Sequence, residues 1–327
     1  MSPVHPNFPV LQVDLTGRTA LVVGSNVGLG FEAAKHLARM SPKRLIATSR
    51  LQEQRRSAKR RKKIKKDTGF GAVECWPLEL TSFASIKAFA DRFEREGGGR
   101  LDVVILNAAM AHFEYAVTED GFERVLQTNH LGGALLSHLL LPTLLKTGHE
   151  TGRVSRLAIV SSGLYETVKF SGDKFPKDKG IIARLSEEDS MDANRYSETK
   201  LLNILFGRAL QSHLPADAPL IVTTIDPGFC ISELRRSVDR GQWDDLLKTA
   251  RTTEEGSRQL ILGALGEKGG IDAWRGGYLS DNELKPFGEW VRSDEGKAVQ
   301  ERVWKETLDI SIKADARVAE AAKLFTT

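Results

Sequence analysis

Two side chains four positions apart, Tyr196 and Lys200, have the chemistry to move a proton together. They open a stretch of helical character, Tyr196-Ser197-Glu198-Thr199-Lys200, continued by Leu201-Leu202-Asn203-Ile204-Leu205-Phe206. Positions i and i+4 share one face of a helix, so the phenol and the ammonium can enter the same space. A tyrosine keeps its proton to about pH 10. A fixed positive charge beside it favours the phenolate and lowers that value. A tyrosine held this way can exchange a proton with an alcohol near neutral pH. Tyr-x-x-x-Lys arises by chance in many chains, so its meaning rests on the elements around it.

The first of those elements is Arg18-Thr19-Ala20-Leu21-Val22-Val23, a short apolar run suited to a buried strand. It leads into Gly24-Ser25-Asn26-Val27-Gly28-Leu29-Gly30 and then a helical pattern with Phe31, Ala34, Leu37 and Ala38. Strand, glycine turn and helix in that order give a glycine motif its meaning. Gly24 permits the tight turn, Gly28 lets backbone approach a pyrophosphate, and Gly30 allows close helix–strand packing. The helix N-terminus offers N–H groups to the anion. The spacing is G-x-x-x-G-x-G, different from the commoner G-x-G-x-x-G. The next strand, Arg44-Leu45-Ile46-Ala47-Thr48-Ser49-Arg50, lacks the Asp or Glu that holds a ribose 2′-hydroxyl in NAD-binding folds. It ends on Arg50, a cation placed to meet a 2′-phosphate, which argues for NADP(H).

The alternation continues. Strands are predicted at 72–76, 101–106, 157–160, 220–225 and 277–279. Helices are predicted around Phe83–Phe93, over 117–146 with Asn129 inside, at Tyr196, near 254–266, and over an amphipathic stretch with Val299, Val303 and Trp304. Repeated βα units imply an α/β fold, a doubly wound parallel sheet of Rossmann type. The reading is a single domain: an arm at 1–16, the catalytic domain at 17–285, and a C-terminal helical extension at 286–327. Ligands of such sheets bind beyond the strand C-terminal ends. Gly24, Arg50, Asn107, Ser162 and Pro227 all fall there and would surround one crevice.

The 327 residues are 41% hydrophobic and 28% charged, with a formal charge of +4, an ordinary globular balance. Arg55, Arg56, Lys59, Arg60, Arg61, Lys62, Lys63, Lys65 and Lys66 crowd one segment. Without interleaved aromatics it reads as a solvated helix face, with no nucleic acid as partner. Cys75 and Cys230 suggest buried thiols of a reducing compartment and no metal site. No secretion signal is seen, and no run approaches the about 18 apolar residues of a membrane span. The expectation is a cytoplasmic protein.

Together these pieces resemble the short-chain dehydrogenase/reductase family over about residues 15–285: Gly24-x-x-x-Gly28-x-Gly30, Asn107-Ala108-Ala109, Asn129, Ser161-Ser162, Tyr196-x-x-x-Lys200 and Pro227-Gly228, in the family's order. Asp120-Gly121-Phe122-Glu123 and Thr128-Asn129-His130-Leu131-Gly132 look closest to the retinol-dehydrogenase and WW-domain-oxidoreductase branch, and Arg195-Tyr196 with Lys200-Leu201-Leu202-Asn203 to its fungal members. The resemblance implies that Ser162 polarises the carbonyl or alcohol oxygen and that Tyr196 gives or takes the proton. It also implies that Lys200 holds the nicotinamide ribose and lowers the tyrosine pKa, and that Asn129 supports a water relay. It implies cofactor contacts from Gly24, Ser25, Asn26, Val27, Gly28, Leu29 and Gly30, from Arg50, Glu79, Leu80, Asn107, Ala108 and Ala109, and from Tyr196, Lys200, Pro227, Gly228 and Ile231. Three positions depart from the family pattern. Val23 stands for a threonine, Ala109 for the glycine of Asn-Ala-Gly, and Glu79 for an aspartate that commonly contacts adenine.

The activity implied is NADP(H)-dependent carbonyl reduction or alcohol oxidation. The rival is a catalytically idle NADP(H)-binding sensor or interaction protein of the same fold. The substrate segments are expected at 163–195 and 229–253, with Leu164, Tyr165, Phe170, Phe175, Ile231, Leu234 and Trp243 suiting a fairly apolar, medium-sized molecule. The lysines and glycines after Ser162 suggest a mobile lid. A monomer or a homodimer is expected, the extension at 286–327 being placed to cover a pairing surface.

Overall fold

Runs rich in Val, Ile and Leu become parallel strands when helices cover both of their faces. Six do so: β1 (Thr19–Val23), β2 (Arg44–Ser49), β3 (Val73–Pro77), β4 (Val103–Leu106), β5 (Ser155–Val160) and β6 (Leu220–Ile225). The computed structural model describes residues 8–50, 54–231, 234 and 248–326. Trp243 and most of the expected substrate segment 229–253 lie outside the described residues. Leu21 and Val23 of β1 enter one apolar core, and Ala20 and Val22 enter the other. The first core packs helices Phe83–Glu96, Gly132–Thr151 and Arg195–His213; the second packs helices Gly28–Arg39 and Thr253–Leu265.

With β7 (Tyr278–Ser280) and β8 (Glu283–Lys285), the sheet order is β3-β2-β1-β4-β5-β6-β7-β8. The order reverses between β1 and β4, which opens the crevice above their C-terminal ends. The doubly wound parallel sheet is as expected, with β8 added at its edge, antiparallel to β7. Asp281 and Asn282, at φ 49° and 67°, form the two-residue turn that reverses the chain. A three-residue edge strand carries too little apolar alternation to be seen in sequence.

The long helix predicted from 117 begins later. Val117 bridges Glu123, and the Glu123 carboxylate accepts the N–H groups of Val125 and Leu126, both at 2.8 Å, so the helix starts at Arg124. It passes through a π turn at Gln127–Leu131 before Gly132–Thr151.

The segment after Ser162 corrects a second expectation. It is folded rather than an open loop. Phe170 and Phe175 meet edge to face at 5.0 Å, and they, with Tyr165, Ile181, Ile182 and Leu185, are buried in the core. Ile181 and Ile182 donate their N–H groups to the Glu306 carboxylate at 3.0 and 2.8 Å. The apolar residues sit between lysines and glycines, which masks their period. Glu306 belongs to helix Asp294–Ala314, whose Val299, Val303 and Trp304 pack against helix Arg195–His213. There Trp304 stacks on His213 at 4.8 Å. Cys75 and Cys230 are half-buried thiols, less enclosed than expected.

Candidate active site

The glycine loop is shaped by what stands behind it. Gly24 has φ +79°, and a Cβ there would come within 2.6 Å of Ala108. A Cβ on Gly30 would reach the Gly24 carbonyl at 2.3 Å and Asn107 Nδ2 at 2.5 Å. Asn107 Nδ2 donates to that same carbonyl at 2.8 Å, so the end of β4 fixes the turn after β1. Ala108 therefore fits because residue 24 is glycine. Thr48, which the sequence reading left out, accepts the Gly24 N–H on its hydroxyl and both the N–H and hydroxyl of Ser25 on its carbonyl, each at 3.1 Å. Helix Gly28–Arg39 starts after Val27 with no side-chain cap and no acid in its first turn. Its N–H groups thus face a cradle suited to a pyrophosphate. Asn26 lies within this loop, and Leu29 packs partly against the second core.

The other expected cofactor contacts sit at strand ends, with differing exposure. Arg50 is exposed just past β2. Glu79 turns back to accept the Thr81 N–H at 3.3 Å, and Leu80 is buried. Gly228, at φ +76°, follows β6; Arg251 donates to the Pro227 carbonyl at 2.9 Å, and its own carbonyl accepts the Ile231 N–H at 2.9 Å. Ile231 is 50% exposed, as are Phe113 (53%) and Leu164 (41%) nearly so. These three follow β6, β4 and β5 in the chain, past the strand ends that bound the crevice. Phe113 carries no local signal that would have singled it out.

The four proposed catalytic residues come from three elements tied by hydrogen bonds. Ser162 lies two residues past the end of β5 and caps the short turn Gly163–Thr167, accepting the Leu164 N–H at 3.3 Å; its hydroxyl proton is left to reach elsewhere. Ser161, its neighbour, points the other way and donates to the Lys200 carbonyl at 2.8 Å. Lys200 Nζ donates to the Val160 carbonyl at 2.9 Å and lies 5.4 Å from the centre of the Tyr196 ring. The i, i+4 pair therefore does share a face. Lys200 is 1% exposed, and burial lowers its pKa from the ordinary 10.5 to about 8, the charge of Asp226 partly opposing the shift. Tyr196 itself is half-buried.

Asn129 occupies the π turn, an arrangement that recurs at functional sites. Its side chain is held at both ends. Oδ1 accepts the Met110 N–H at 2.7 Å, and Nδ2 donates to the Met110 carbonyl at 2.8 Å and to Thr199 Oγ1 at 3.0 Å. The Thr199 hydroxyl in turn donates to the Tyr196 carbonyl at 2.7 Å. Met110 and Thr199 were invisible to motif reading because their roles are contacts, made across the fold.

Arg195 was quoted only as part of a motif, yet it organises the site. It is 1% exposed and pairs with Glu123 at 3.1 Å and Glu198 at 3.3 Å. It also donates to Ser190 Oγ at 2.8 Å and to the Leu185 carbonyl. Glu123 caps the helix that leads to Asn129, so the Asn129 and Tyr196 helices start from one buried charge cluster.

The short chain dehydrogenase sol3 of Alternaria solani is 39% identical to this chain over 84% of it and 92% of that protein. The chain belongs to the short-chain dehydrogenase/reductase family. The chain also matches the family described as short chain dehydrogenase over residues 18–167, and is 32% identical to the short chain dehydrogenase/reductase dmxR8 of Cryptosporiopsis over 93% of its length and 94% of the relative's. The likeness to fungal members expected from Arg195-Tyr196 is thus borne out. Among solved structures, NADPH-bound carbonyl reductase from chicken fatty liver superposes with a TM-score of 0.60 at 22% identity, over 84% of this chain and all of that one, which supports the fold. No helix among the described residues is long and apolar enough to cross a membrane.

Proposed function

We propose that this dehydrogenase is an NADP(H)-dependent reductase of a carbonyl, or oxidant of an alcohol, on a medium-sized and fairly apolar molecule. The observation that carries the reading is the joining of Ser162, Tyr196, Lys200 and Asn129 through Ser161, Val160, Met110 and Thr199. A pure binding protein has no need of a proton donor held this way. The cradle at Gly24, Gly28 and Gly30 fits a pyrophosphate, and Arg50 fits a 2′-phosphate. NADPH in the chicken carbonyl reductase, and in L-sorbose reductase from Gluconobacter frateurii, supports the same cofactor here. The placement beside retinol dehydrogenases belongs to this proposal too.

NADP(H), when bound, supplies or accepts the hydride. The protein does the rest. The Ser162 hydroxyl donates to the substrate oxygen, where negative charge grows during reduction. The Tyr196 hydroxyl releases its proton to that oxygen, and Lys200 favours the phenolate left behind. Asn129 holds the Met110 loop against the Tyr196 helix. Phe113, Leu164 and Ile231 exclude water around an apolar substrate.

The test is consumption of NADPH and NADH with a panel of aldehydes and ketones of graded apolar size. Turnover preferring NADPH, rising with apolar bulk, is the expected result. Tight NADPH binding with no turnover on any member would overturn the enzyme reading and leave a sensor. Equal dissociation constants for NADPH and NADH would remove the role given to Arg50.

A further inference from the structure

Helix Asp294–Ala314 lies beyond every motif that marks the site, yet its Glu301 bonds His213 at the far end of the Tyr196 helix and its Thr307 reaches the Asn129 turn. Thr307 Oγ1 lies 3.0 Å from His130 Nε2, and His130 Nδ1 lies 3.3 Å from Asn203 Oδ1. All three residues are buried. His130 follows Asn129 in the π turn, and Asn203 is one helical turn beyond Lys200. A neutral imidazole has one donor and one acceptor. Asn203 Oδ1 can only accept, which assigns the proton to Nδ1, and Nε2 then accepts from the Thr307 hydroxyl. Packing alone does not fix this turn. A cavity of about 20 Å³, room for one water, is lined by Leu106, Thr128, Asn129, His130, Gly133 and Asn203. Asn129 is therefore placed by polar pins: Met110 and Thr199 at its side chain, His130 at the next residue.

We propose that Thr307 and His130 are positioning residues: through Thr307–His130–Asn203 the C-terminal helix sets the Asn129 turn against the Tyr196–Lys200 helix, and turnover depends on that setting. The proposal rests on the proton-transfer reading above. Thr307→Val removes the hydroxyl and keeps the shape, whereas Thr307→Ser keeps the hydroxyl. Thr307→Val should lower kcat about 10-fold, the equivalent of one buried hydrogen bond, with KM for NADPH within about twofold. It should also speed amide hydrogen exchange at Met110, whose N–H is held by Asn129, by about the same factor. Thr307→Ser should restore both. If valine is not accommodated and the variant fails to fold, Thr307→Ala against Thr307→Ser makes the same comparison.

Exchange is read without turnover. Unchanged exchange at Met110 in the hydroxyl-free variant overturns the proposal whatever the rate does, and so does an equal loss in Thr307→Ser. Tyr196→Phe, measured in parallel, separates the two readings. Near-parental activity there sinks the proton-transfer reading. An inactive Tyr196→Phe beside an unaffected Thr307→Val sinks only the positioning role.

Discussion

Tyr196 and Lys200 lie on one helix face, and their chemistry divides cleanly between them. Tyr196→Phe removes a hydroxyl and keeps the ring that packs the helix. Fold and NADPH binding should survive while turnover falls by about two decades or more, the usual worth of general acid–base catalysis. Steady-state kinetics with chemistry shown to be rate-limiting check this, and a near-parental rate would remove Tyr196 as the acid. Lys200 makes a different prediction. Its folded pKa, about 8, lies below its ordinary 10.5, so between those values the unfolded chain binds more protons. Stability linked to Lys200 therefore rises as pH climbs through that window, by up to about 3 kcal/mol, and the burial penalty stands in full below it. Urea unfolding of the cofactor-free protein at about pH 7.5 and 9.5 reads this against Lys200→Met, which should lack the rise. Parallel pH dependence in the two proteins would contradict the burial given to Lys200.

Among the elements, the segment between Ser162 and Tyr196 differs most from its composition. Lysines and glycines gave it the look of a lid, but Phe170, Phe175, Ile181, Ile182 and Leu185 are buried, and Glu306 holds the start of helix Ile181–Leu185. Buried, hydrogen-bonded backbone exchanges slowly. The amides of Ile181 and Ile182 should be protected before any ligand is added, and Glu306→Ala should speed their exchange by about tenfold, the loss of charge-assisted bonds. Fast exchange there in the unmodified protein would return the segment to the role of a mobile lid. The Arg195–Glu123–Glu198 cluster acts at the same scale. Truncating Arg195 would leave the buried Glu123 carboxylate without its counter-ion, at about 3–5 kcal/mol, which makes it a poor choice for testing catalysis alone.

Across the whole molecule, the C-terminal helices close the first core over two buried imidazoles. His138 lies edge to face with Phe206 at 5.5 Å and with Trp304 at 5.7 Å. Its ring nitrogens have no hydrogen-bond partner among the described residues. Burial lowers the pKa of His138 to about 3 and that of His130 to about 4, both from 6.5. A folded value below the unfolded one means that stability is present in full above about pH 6.5 and is lost as pH falls toward 4 and 3. The protein should lose several kcal/mol between about pH 6.5 and 4 from these two residues. His138→Phe should remove about half of that loss, seen as a smaller drop in the urea midpoint from about pH 7 to 4.5. An identical acid dependence in that variant would show that His138 does not become charged on unfolding.

What the sequence by itself determined is local. Short apolar runs marked seven strands, the glycine spacing marked the turn after β1, and the four-residue interval marked a face shared by Tyr196 and Lys200. Each depends on backbone geometry within one or two turns, which residue type dictates directly. What the tertiary structure decided is which distant groups hold these pieces still. Glu123 and Arg195 are 72 positions apart, Asn129 and Thr199 are 70, and His130 and Thr307 are 177. No periodicity spans such intervals. A polar side chain reads the same in sequence whether it faces water or a buried partner. The docking of helices on the sheet makes that choice, because a buried polar group must find its bond where packing has brought a donor or acceptor. For the same reason Tyr165 and Phe170, apolar enough for a substrate pocket, went to the core, while Leu164 and Ile231 stayed exposed.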